Sequence, residues 1–73
     1  SRVRGGVMVG ANGSAFFYDR AVAEVESVVL LLRDGTPRLF SDVVAGAGAS
    51  AADTVTMLLR DLVGSAAVSA TPA

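Results

Sequence analysis

The chain of 73 residues contains no cysteine, no histidine and no lysine; its six cationic side chains are all arginines. Without cysteine there is no disulfide, and without histidine or cysteine there is no zinc cluster, so the usual staples of a small scaffold are absent. The same absences weigh against catalysis. Glu24, Glu26, Asp42, Asp53 and Asp61 could do acid–base work in principle, but no histidine, lysine or cysteine exists to complete a nucleophilic triad. A non-enzyme with no catalytic residue is the expectation. Carboxylates alone bind metal only when several oxygens converge, and no loop here offers them, so neither metal nor cofactor is expected.

Charge of one sign is also lacking. Six arginines against seven acids leave a formal charge of −1. Arg2, Arg4, Arg20, Arg33, Arg38 and Arg60 are scattered, so there is no basic footprint for a phosphate backbone and no nucleic-acid partner is expected. The longest apolar run, residues 28–32, is far shorter than the roughly 20 residues of a membrane helix, and no secretory signal precedes the first strand. A cytoplasmic location away from membranes follows as the expectation.

What is present is apolar: 52% of the residues are hydrophobic and 18% charged, a folding composition rather than a disordered one. A domain of this size buries only about 60% of its unfolded surface, so some large apolar groups stay outside and favour binding. One domain is expected over residues 1–64, followed by a tail, 65–73, that is flexible or carries a short strand at 66–69.

Asn12-Gly13 supplies the two positive φ values of a type I′ turn, so residues 7–18 read as a hairpin pairing Ala11 with Ser14, Val9 with Phe16 and Val7 with Tyr18. Val7, Val9, Phe16 and Tyr18 then share one face, and Met8 and Phe17 the other. A lone hairpin is marginal in water, so residues 2–4, the tail or a partner must add a strand. The same turn satisfies the Asn-X-Ser glycosylation pattern, which a cytoplasmic chain does not use.

Asp19 is the expected cap of a first helix reaching about Arg33, with Val22, Val25, Val28, Val29 and Leu32 as its buried stripe. Thr36-Pro37 predicts a second helix over 37–45, ended by Gly46. Ser50 with Asp53 forms a capping-box variant for a third helix that ends before Gly64, and Val55, Leu58, Leu59 and Leu62 supply its core stripe. The run Gly46-Ala47-Gly48-Ala49-Ser50-Ala51 has glycine-loop spacing, but a nucleotide site needs a preceding strand and a later acid that are missing, so it reads as an inter-helix loop.

This order of elements, with the stretch 24–44 containing Val28, Val29, Leu31, Leu32, Asp34-Gly35-Thr36 and Asp42-Val43-Val44, resembles the PqqD-like peptide-recognition domains of ribosomal peptide natural-product biosynthesis. The resemblance covers about residues 3–63. It implies an α+β, winged-helix-like fold in which an N-terminal hairpin precedes three helices. It also implies a partner: the leader of a precursor peptide, added as a strand and presented to a modifying enzyme that is separate or fused. Carried onto this chain, Ala15, Phe16, Phe17 and Tyr18 supply the strand, while Thr54, Met57 and Asp61 line the groove on the third helix. Two departures stand out. The family usually has three strands before its first helix where two are read here, and the connection from Thr36 to Leu39 runs about one residue long.

Two other readings compete. A structural domain that forms a homodimer through its hairpin suits the apolar composition equally well. A winged-helix DNA-binding protein suits it poorly, because Arg60 is the only cation of the third helix and faces Asp53 and Asp61.

Overall fold

The computed structural model describes residues 1–70. Three antiparallel strands, β1 (Arg2–Val3), β2 (Gly6–Ala11) and β3 (Ser14–Tyr18), form a sheet in the order β1-β2-β3. Three helices follow: α1 (Val22–Leu32), α2 (Phe40–Ala47) and α3 (Ala52–Gly64), the last entered through a 3-10 turn at Ala49–Ala51. The fold is α+β, with the N-terminal sheet preceding the helices, as expected.

The central hairpin follows from its turn. Asn12 at φ 53° and Gly13 at φ 85° take the left-handed pair that a type I′ turn demands. The register then pairs Ala11 with Ser14, Val9 with Phe16 and Val7 with Tyr18, as the sequence predicts. The missing strand comes from the N-terminal end: Arg2 pairs with Val7 and Val3 with Gly6. Ser1 prolongs this pairing, since its amine donates to the Met8 carbonyl at 2.6 Å and its carbonyl accepts from Met8 N–H at 2.9 Å. Arg2 also reaches Glu26 of α1 at 2.8 Å.

The tail adds no strand at 66–69, which corrects that expectation. Instead the chain reverses at Ala66, φ 61°, as Ala66 N–H donates to the Val63 carbonyl and Ala67 N–H to the Leu62 carbonyl. These are the two bonds of a Schellman motif, with alanine in the left-handed position that glycine usually fills. Gly64 lies inside the last helical turn rather than beyond it.

Helix starts also differ from the capping signals. α1 begins at Val22 with Ala21 at its N-cap, left-handed at φ 50°, and Asp19 makes no cap bond. The strand runs to Tyr18, and the residues after it are spent turning the chain toward the helix. Thr36-Pro37 does not open α2, because Asp34 Oδ1 accepts Thr36 N–H at 2.9 Å and Asp34 Oδ2 holds Arg38 at 3.1 Å. That local turn consumes the capping signal, and α2 begins only after Leu39. Gly46 sits within α2, which stops at Gly48, φ 93°. Ser50 gives no side-chain cap, since it lies in the 3-10 turn.

The buried stripes are as the periodicity requires. Val7, Val9 and Tyr18 of the sheet pack with Val25 and Val28 of α1, Val43 of α2, and Val55, Leu58, Leu59 and Leu62 of α3. Val22, Val29 and Leu32 of α1 and Phe16 of β3 border that core as partly buried groups.

Candidate functional site

Strand order leaves β3 with one unpaired edge. A two-residue hairpin makes Ala11 and Ser14 a hydrogen-bonded pair, and alternation then makes Val9–Phe16 and Val7–Tyr18 bonded pairs as well. Ser14, Phe16 and Tyr18 therefore turn their N–H and C=O groups toward β2. Ala15 and Phe17 turn theirs outward, to the open edge. The bonds of Met8 to Ser1, on the far side of β2, obey the same alternation, since Met8 pairs with Phe17.

Side chains alternate in the other direction. Phe16 and Tyr18 face the helices, while Ala15 is exposed and Phe17, 48% exposed, lies on the outer face. The Phe17 ring lies over Gly6. A Cβ on Gly6 would stand 2.8 Å from its Cζ and would also collide with the Tyr18 carbonyl oxygen. Val3, 42% exposed, and Met8 belong to this same outer face.

The core face of β3 is fastened to α3. Tyr18 hydroxyl donates to Asp61 Oδ2, and Asn12 Nδ2 at the hairpin turn donates to the Ser65 carbonyl at 2.9 Å. Burial, and then the Asp61 carboxylate that accepts its proton, pushes the Tyr18 phenol well above the ordinary tyrosine range. The structure thus brings Tyr18 and Asp61 together directly, with Asp61 engaged within the chain. Met57, one turn earlier on α3, is 53% exposed and open to a partner. Thr54, only 7% exposed, belongs to the core wall and offers no open surface.

Sequence reasoning missed an apolar groove of about 1060 Å³ bordered by Thr36, Pro37, Leu39 and Phe40 on one side and Leu59, Val63 and Val68 on the other. Leu39, Phe40 and Val63 are exposed there. The adjacent large apolar pair Leu39-Phe40, placed at the very start of α2, was the available signal. A smaller cavity of about 400 Å³ lies between α1 and α2.

Among the described residues no group of three or more potential metal ligands converges. No described helix is long and apolar enough to cross a membrane. The stretch from Gly46 to Ala51 runs from the last turn of α2 into the 3-10 turn, with no strand before it, so it lacks the setting of a dinucleotide loop. Comparison of the chain with protein-family models, curated proteins and solved structures finds no match.

Proposed function

We propose that the chain is a non-catalytic, cytoplasmic peptide-binding module that takes the leader of a ribosomally made precursor as a fourth strand on β3. It presents that peptide to a modifying enzyme, separate or fused. The observation that carries the reading is the open edge of β3, where Ala15 and Phe17 aim two donors and two acceptors outward from an uncharged strand. Three strands ahead of α1, the count that the PqqD-like resemblance implies, support it further.

In this reading the backbone supplies affinity and a few side chains supply selection. Phe17 and Met57 are the exposed apolar contacts. Phe16 and Tyr18 hold the strand in place from the core face, and Asp61 fixes Tyr18. Thr54 supports α3 from beneath.

An amide-shift titration of the labelled chain tests the proposal, using leader peptides from precursors encoded beside its gene, scrambled versions of them and a DNA duplex. Saturable shifts at Ala15 and Phe17 for one leader are the expected result. Equal shifts with its scrambled version, or none with any leader, would sink the reading.

A further inference from the structure

The edge of β3 is complementary to itself. Its outward-facing residues, Ala15 and Phe17, flank Phe16 symmetrically. A twofold axis through Phe16 therefore sets Ala15 of one copy opposite Phe17 of the other, and the reverse. Facing residues whose groups point at one another exchange both N–H···O bonds in an antiparallel pair. All outward donors and acceptors of Ala15 and Phe17 are then used, in two bonded pairs. Phe16 meets its own copy on the axis as a non-bonded pair, where opposed side chains approach most closely.

Nothing on the strand opposes this pairing. Edge strands are ordinarily blunted by charge, proline or a bulge. Ser14–Tyr18 has no charge and no proline, and its register with β2 is unbroken. The nearest charges, Asp19 and Arg20, would lie opposite Gly13 and Asn12 of the second copy, so no like charges meet. The flanking apolar groups, Val3, Met8 and Phe17, would continue across the joint on one face because the axis is perpendicular to the sheet.

We infer that β3 pairs antiparallel with β3 of a second copy of this chain about Phe16, joining two three-stranded sheets into one and closing the edge when no peptide occupies it. Five residues of strand bury less than the roughly 1,200–2,000 Å² of stable interfaces, so the dimer is weak and reversible. A peptide bound on the same edge displaces the second copy. The inference goes beyond the leader reading and stands without it, because the chain alone is assayed.

Sedimentation equilibrium of the whole chain, from micromolar to millimolar concentration, should show the mass rising from 7.3 kDa toward twice that value. A constant mass across the range overturns the inference. The register has its own test, which the absence of cysteine makes clean. Mixed Ala15→Cys and Phe17→Cys chains, oxidised at millimolar concentration, should yield the mixed disulfide, since paired Cα atoms at about 5.5 Å suit a disulfide. Ala15→Cys alone should not crosslink; if it crosslinks as well as the mixture does, the axis is not at Phe16. Ala15→Pro removes only an outward N–H and should stay monomeric with its amide spectrum otherwise preserved. Should that variant not fold, Phe17→Lys serves in its place. Association undiminished in whichever of the two folds overturns the inference.

Discussion

Tyr18 of β3 donates its hydroxyl proton to Asp61 of α3, across 43 positions of sequence, and so latches the sheet to the last helix. Burial and the neighbouring carboxylate raise the folded-state pKa of this phenol above its unfolded value. A group raised in this way contributes stability that is fully present below the unfolded value near 10 and is lost as pH climbs through the folded one. The melting temperature should therefore fall as pH rises beyond about 10, and fall less in Tyr18→Phe. Tyr18 is the chain's single tyrosine, so phenolate absorbance reads it directly. Its titration midpoint should move back toward the ordinary range in Asp61→Asn; an ordinary midpoint in the parent chain would contradict the latch.

The reversal after α3 places alanine where glycine fits best. Ala66→Gly should stabilise the fold by about 0.5–1 kcal/mol, because it relieves a left-handed alanine at φ 61°. Gly64→Ala should also stabilise it, by roughly 0.5–1 kcal/mol, as that glycine is helical with open space around its Cα. Urea unfolding of the two single variants and of the double variant measures both effects.

Gly6 is required by crowding rather than by its dihedral angles. Gly6→Ala should cost about 1–3 kcal/mol, since the new methyl meets the Phe17 ring and the Tyr18 carbonyl. Adding Phe17→Ala should recover only part of that loss, because the carbonyl remains. Full recovery in the double variant would show that the ring alone excludes the methyl.

Neighbours on α3 should behave oppositely. Leu58→Ala removes a fully buried side chain and should cost about 2–5 kcal/mol. Met57→Ala, at an exposed position, should change stability by no more than about 0.5 kcal/mol. If the leader reading holds, Met57→Ala should still weaken leader binding in the amide-shift titration.

The parts of this fold that were legible in the sequence are those fixed by repetition. Val55, Leu58, Leu59 and Leu62 recur at helical spacing, and burial follows that spacing wherever the helix happens to start. Asn12-Gly13 leaves the hairpin a single register, which put Val7, Val9, Phe16 and Tyr18 on the helix side. Boundaries were less legible because the expected capping residues fall in turns that precede the helices. Asp34 takes the Thr36 amide, Asp19 falls in the turn before α1, and Ser50 enters a 3-10 turn. In the candidate site, alternation tells which residues of β3 point outward, but that its edge stays open depended on where the third strand pairs, which the sequence left undecided. The Tyr18–Asp61 bond could not be read, since local sequence does not specify which helical residue a strand residue will meet 43 positions later. The burial of Thr54 was legible by spacing, since it stands three positions after Ala51 and four before Leu58, but its hydroxyl placed it among the polar residues of the helix.

That separation also orders the events of folding. Both hairpins close through two-residue turns, on the microsecond scale of local β-structure. The latch between Tyr18 and Asp61 joins residues 43 positions apart, so its closure should follow that of the hairpins and fall late on the folding pathway. Breaking it should quicken unfolding while leaving the refolding rate nearly untouched, since the Asn12–Ser65 bond and the shared apolar core still join the sheet to α3.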